Sequence, residues 1–209
     1  QQGDWATDIY RPYFGDVCVT CPVGIETDLW APDSRAEPTT DFLLYNKIRW
    51  NHAQREATLL SPIRDHLRAA GLTFEEIRYG AYRPEDYAAA MRRCRSLLFI
   101  CEHESQGFAY QEAMSAGLPV LAWDPGEWLD PRRFEWGTPH VPASSVPFFD
   151  PRCGERFVDL AAFPSALGTF LERMRAGRYA PRDYIVETLS LPRCATRYLE
   201  LLNRSVVQP

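Results

Sequence analysis

Two carboxylates eight positions apart, Glu104 and Glu112, are the residues in this sequence best placed to do chemistry together. The first lies in the stretch Glu104-Ser105-Gln106-Gly107-Phe108, which reads as a loop, and the second lies on a short helix that follows. Ionised carboxylates accept hydrogen bonds and do not donate them, so a pair facing one crevice suits the hydroxyls of a sugar. Between them, the backbone N–H groups of Ser105, Gln106, Gly107 and Phe108 could meet a phosphate at the helix start, with Gly107 permitting close approach. Two solvated glutamates are the plain alternative on spacing alone.

The elements that would position this pair follow from the apolar runs on either side. Residues 96–101 (SLLFIC) and 119–123 (PVLAW) have the length and composition of buried strands, so strand, loop, helix and strand make one βαβ unit. Upstream, the pattern predicts a strand over 42–47 and a helix over 53–70 kinked or restarted at Pro62. A strand over 73–79 and a helix over 84–94 with Tyr87, Ala90, Met91 and Cys94 facing inward come next. The alternation predicts an α/β fold: a Rossmann-like parallel sheet with helices on both faces. Ligands of such sheets bind where strands end and helices begin. Lys47, the sole lysine, and Arg49 lie where the first strand would open into that crevice and could offset the charge of a diphosphate. Gly80-Ala81-Tyr82 closes the second strand on the same edge, where a flat ring could lie against the backbone beside Tyr82; a plain turn is the alternative.

The remaining chain is less regular. Residues 1–22 hold Trp5, Tyr10, Tyr13 and Phe14 without a sustained helical period, and the β-branched run 17–21 suits a strand. Residues 31–40 read as a linker, and Pro and Gly break the stretch 124–143 into a long loop. A short edge strand over 146–149 and helices over 164–175, 184–189 and 193–206 complete the expectation. This divides the chain into a segment at 1–40 and a domain at 41–209.

Composition narrows the function. The charged fraction of 24% and hydrophobic fraction of 45% are those of an ordinary globular chain, and a net charge of −5 gives no support for a nucleic-acid partner. No run approaches a membrane span and no signal-peptide pattern opens the chain, so a cytoplasmic location is the default expectation. Cys18 and Cys21 could form half a zinc site, but no second pair follows, so buried thiols and no metal are expected. His52, His66, His103 and His140 are scattered, and no Ser or Cys partner spacing supports a hydrolytic triad.

The run from Glu104 to Val120 resembles the donor-site signature of family-four retaining glycosyltransferases with the GT-B fold. In that family two glutamates separated by seven residues precede Ala-Met, Gly and Pro-Val; Ala113-Met114, Gly117 and Pro119-Val120 fall in place here. Residues 22–30, PVGIETDLW, look like the interdomain segment of such enzymes, and the terminal helices like those closing their carboxyl-terminal domain. The likeness spans nearly the whole chain, and the glutamate motif is its specific part.

The resemblance implies one half of a GT-B fold that binds a nucleotide sugar as substrate, with no further cofactor. It places Glu104 at the donor sugar, Glu112 at the nucleotide ribose and the amides around Gln106, Gly107 and Phe108 at the diphosphate. The family's Gly-Arg pair after the first strand appears here as Asn46-Lys47, and its later lysine is missing. Lys47 would replace the arginine, and Arg49 or Arg55 the lysine. An acceptor site implies an amino-terminal domain or subunit as partner, without which the isolated chain would be inactive. A non-catalytic nucleotide-sugar-binding or docking module is the rival expectation.

Overall fold

The computed structural model describes residues 1–33, 37–132 and 140–207, with side chains of the last helix described to Arg204. Its centre is a five-stranded sheet in the order β2-β1-β3-β4-β5, parallel throughout: β1 Thr40–Lys47, β2 Phe74–Arg78, β3 Cys94–Cys101, β4 Val120–Trp123 and β5 Gly154–Phe157. Parallel sheets need cover on both faces, and alternate residues of each strand supply two separate cores. On one face Leu43, Tyr45, Leu97, Phe99 and Ala122 pack with α4 (Pro84–Arg93), α5 (Phe108–Ser115) and α7 (Pro181–Thr188). On the other, Phe42, Leu44, Leu98, Ile100 and Phe157 pack with α3 (Ser61–Ala69) and α6 (Phe163–Arg175).

The segment leading into α3 begins with α2 (His52–Arg55) and passes through one π turn, Glu56–Leu60. Pro62 has no N–H for the carbonyl a turn behind it, so the ladder is offset there and the helix continues without breaking. The helix after β1 lies on one face of the sheet and the helix after β3 on the other. The ends of these two neighbouring strands therefore splay their connections apart and leave a crevice, the topological switch point of a doubly wound sheet.

Three expectations are corrected. Residues 4–14 are helical (α1, Asp4–Phe14), although Tyr13 and Phe14 are exposed and only Ala6 and Thr7 are buried. Trp5, Ala6, Ile9, Tyr10, Tyr13 and Phe14 do recur at helical spacing, and Pro12 inside the run is accommodated without ending the helix. The run 17–21 is not a strand: Gly15–Val17 form a 3₁₀ turn, and the backbone beyond it pairs with the chain start through Cys21 N–H to Gln1 O (2.7 Å). Nor is 146–149 an edge strand. Pro147 lacks a donor there, and the Phe148 N–H goes to the Tyr110 hydroxyl (3.1 Å). The edge is instead β5, whose Gly154 has φ +146°, where a Cβ would lie 1.8 Å from Val120 O. The linker expected over 31–40 falls partly outside the described residues, as does the loop expected over 124–143. Helix α8, Leu191–Val207, closes the chain, and no helix among the described residues is long and apolar enough to cross a membrane.

Candidate functional site

Lys47 is the last residue of β1 and pairs in register with Cys101, the last of β3. Glu104 follows three residues later, so two adjacent strand ends deliver a cation and a carboxylate to one point. The Lys47 ammonium donates to Glu104 Oε1, and both side chains are largely withdrawn from water, 13% and 9% exposed. The ammonium also stands 4.4 Å from the centre of the Tyr79 ring. Tyr79 is held at the end of β2 by its N–H to Asn46 O (2.9 Å). Beyond it, Gly80 turns with φ +78°, Ala81 N–H closes the turn on Arg78 O (3.0 Å), and the Tyr82 hydroxyl meets that of Tyr45 at 2.6 Å.

Glu112 approaches from α5. Burial raises its carboxyl to about 7. Its charge raises the neighbouring Tyr82 and Tyr87 hydroxyls, after the larger effect of their own burial. Tyr82 feels the Lys47 charge as well as that of Glu112, so both groups lie in its neighbourhood. The structure thus brings Lys47, Glu104, Glu112 and Tyr82 to one crevice edge.

The loop between the two glutamates is built differently from its expectation. Gly107 has φ +88°, and a Cβ there would lie 2.1 Å from Tyr110 Cε1. The glycine is required by the backbone and by the Tyr110 ring, and the room it leaves is filled by protein. The Gln106 side chain accepts from Val23 N–H (2.7 Å), donates to Val23 O and reaches Gln111 Oε1 (3.2 Å), clamping the segment before β1 onto the loop. Ser105 Oγ bonds Gln2 (3.1 Å), and Trp5 Nε1 donates to Glu104 O (2.7 Å). Side chains of Ser105 and Gln106 therefore face the amino-terminal segment, and Phe108 is exposed at 42%. What this loop retains for an anion is backbone, at the start of an eight-residue helix.

Arg49 and Arg55 stack on indoles: the Arg49 guanidinium lies 5.2 Å from the Trp50 ring centre, and that of Arg55 5.0 Å from Trp123. His103 sits beneath Trp50, its ring 5.3 Å away and nearly parallel, with Trp5 and Trp128 edge-on at 5.6 and 6.1 Å. It is 7% exposed, and its Nδ1 has no hydrogen-bond partner among the described residues. Burial, with Arg49 nearby, holds it down to about 4, so the imidazole is neutral and serves as packing. Trp50, Tyr79 and Glu102 carry no expectation from the sequence, and Trp5 stands there only among the aromatic residues of 1–22. Trp5 lies 99 residues from the carbonyl it binds, so nothing local ties it to the site loop. Glu102 did carry a signal, a charge set directly after an all-apolar strand end.

Among the described residues, no three His, Cys, Asp or Glu side chains converge as metal ligands would. A groove of about 1400 Å³ between α1 and α8, lined by residues such as Arg11, Arg193 and Glu200, is separate from the crevice.

No protein-family model and no curated protein matches the sequence. Solved structures do match. The lipopolysaccharide outer core galactosyltransferase WaaB (apo form) superposes with a TM-score of 0.57 at 12% identity, over 96% of this chain and 59% of that one. TarM of S. aureus, a G117R mutant in complex with fondaparinux, α-GlcNAc-glycerol and UDP, gives 0.60 at 14% identity, over 94% and 41%. Sucrose-phosphate synthase from Thermosynechococcus elongatus gives 0.54 at 14%, over 97% and 57%. The fold is that of one half of a GT-B glycosyltransferase, and the chain spans between 41% and 59% of the length of these three structures.

Proposed function

We propose that this chain, a GT-B half by fold, is the donor domain of a glycosyltransferase: it binds a nucleotide sugar for transfer with retention. The observation that carries the reading is the Lys47–Glu104 pair at the switch point, with the half-buried Glu112 on the following helix. In the resting chain the two charges satisfy each other. A diphosphate entering the crevice offers Lys47 phosphate oxygens in exchange for the carboxylate, which frees Glu104 to accept from sugar hydroxyls. Lys47 and the amino end of α5 then offset the negative charge that develops on the departing diphosphate, the main electrostatic demand of the reaction. Glu112, once ionised, accepts from the ribose hydroxyls, and the turn Gly80-Ala81-Tyr82 receives the base. The acceptor hydroxyl comes from an amino-terminal domain or subunit that residues 1–40 would join to the domain at 41–209.

Calorimetry with UDP, GDP and ADP tests the reading. Weak binding of at least one is expected, further weakened in Glu112→Ala, with no sugar turnover by the isolated 209-residue chain. Absence of binding by all three sinks it.

A second reading, a nucleotide-sugar-binding module without transfer, is favoured by one observation. The amino-terminal segment sits directly on the loop between the two glutamates through the Trp5–Glu104 and Gln2–Ser105 contacts. Turnover of a nucleotide sugar once an amino-terminal domain is supplied distinguishes the two.

A further inference from the structure

The turn that leaves β1 carries Lys47 and Arg49, and its three successive amides are all taken by side chains. Ile48 N–H donates to Asn46 Oδ1 (3.2 Å). Arg49 N–H reaches both carboxylate oxygens of Glu102 at 3.1 Å, and Trp50 N–H one of them at 3.3 Å. Glu102 is 2% exposed, and it arrives from the end of β3, 53 residues along the chain from Arg49. Its burial raises the carboxyl, against the Arg49 and Trp50 amides and the Arg55 charge, which favour the ionised form. A run of backbone N–H groups pointing into one concavity is an anion-binding nest, and in doubly wound sheets the first strand-to-helix turn is where a phosphate is commonly cradled. Here that nest already holds an anion, supplied by the protein.

The same carboxylate fixes what stands on the turn. Trp50 lies flat on the buried His103 ring, and the Arg49 guanidinium lies over Trp50. Asn46, which caps the turn from the other side, is tied by its Nδ2 to Glu76 (3.1 Å), itself gripped by Arg64. Lys47 thus leaves β1 between two fixed points, Asn46 and the Glu102-bound amides, and its ammonium is directed at Glu104.

We propose that Glu102 is a positioning residue for the donor site, a built-in anion. It closes the first strand-to-helix turn to phosphate, so that an incoming diphosphate is received by Lys47 and the amino end of α5. This rests on the donor reading for the identity of the ligand; the occupied nest stands apart from it. Removing the carboxylate leaves the part-buried Arg49 and Trp50 amides without their acceptor and opens a carboxylate-sized space beside them.

The experiment uses Glu102→Ala and Glu102→Gln in the full chain, with sodium formate compared against sodium chloride at equal ionic strength. In Glu102→Ala, formate is expected to raise Tm and to restore affinity for whichever of UDP, GDP or ADP the unaltered chain binds. The unaltered chain itself should be indifferent to formate. In Glu102→Gln, which keeps the shape and loses the charge, nucleotide affinity is expected to fall about tenfold, about 1.4 kcal/mol, at a temperature where the variant is fully folded. Glu102→Gln binding nucleotide as tightly as the unaltered chain, or formate changing neither Tm nor affinity of Glu102→Ala, overturns the proposal. If the unaltered chain binds none of the three nucleotides, the donor reading fails, and formate rescue of Tm still decides whether Glu102 fills the nest. Should Glu102→Ala not fold without formate, folding in its presence supports the proposal, and failure in both salts passes the decision to Glu102→Gln.

Discussion

The two turns that flank the switch point are made of similar material and held in opposite ways. The turn after β1 has its amides bound by the buried Glu102 carboxylate and by Asn46, and its aromatic residue is locked on His103. The turn after β3 is held through side chains reaching away from the crevice: Gln106 to Val23, Ser105 to Gln2, and the Glu104 carbonyl to Trp5. The first turn has turned its anion-binding capacity inward and contributes one side chain, Lys47. The second keeps a helix start and two carboxylates directed at the crevice. On the donor reading, binding and rigidity are thus divided between neighbouring strand ends.

The largest break in this comparison comes from removing the one contact that joins the turns. Lys47→Met leaves Glu104 withdrawn from water with no cation, and losing one partner of a buried ion pair costs about 3–5 kcal/mol. Urea denaturation should show a loss of that size and calorimetry a loss of nucleotide binding. A variant as stable as the parent would mean that Glu104 relaxes into solvent, and the two turns are then not coupled.

Next in size is Gly107→Ala, which attacks the second turn alone. Alanine must adopt φ +88° and place its Cβ against the Tyr110 ring, so a loss of about 2–3 kcal/mol is expected. Tyr110 also binds the Phe148 N–H that replaces a strand there, so amide exchange should quicken around residue 148 as well as in α5. Protection unchanged at Phe148 would show that the turn and the long loop are independent.

These two turns also show what a sequence can and cannot disclose. The β1 and β3 strands, the helix between the glutamates and the proximity of Lys47 to Glu104 follow from apolar run lengths and from the rule that parallel strands open at one edge. Glu104 and Glu112 could be placed because eight residues span a loop and one helical turn. The supports of each turn could not. Glu102 to Arg49 spans 53 residues, Gln106 to Val23 spans 83, and Trp5 to Glu104 spans 99, and hydrogen bonds at such separations leave no local period. Helix α1 is a different case: its apolar residues keep helical spacing, and the internal Pro12 is what speaks against a helix there. The strand β5 was hidden by its own residues: Gly154 and Glu155 have low strand preference, and the strand is placed by its parallel pairing with β4.

The smallest predicted effect sharpens the comparison through pH. Burial pushes the Glu112 carboxyl up to about 7 from its ordinary 4.5, so the folded state holds the proton more tightly than the unfolded one. Stability therefore falls as pH rises from about 4.5 to about 7 and is level above that, the opposite of a carboxylate held by a cation. Glu112→Gln removes this slope. Discounted for solvent access, the variant should match the parent near pH 4.5 and exceed it by about 1–2 kcal/mol at pH 8. Nucleotide affinity should run the other way, rising in the parent as the carboxylate becomes an acceptor through pH 7 and losing that component in the variant. Parallel stability profiles for the two proteins would show that Glu112 ionises freely in the folded chain. The second turn would then hold no strained charge for a ligand to relieve, and the contrast with the satisfied carboxylate of Glu102 would vanish.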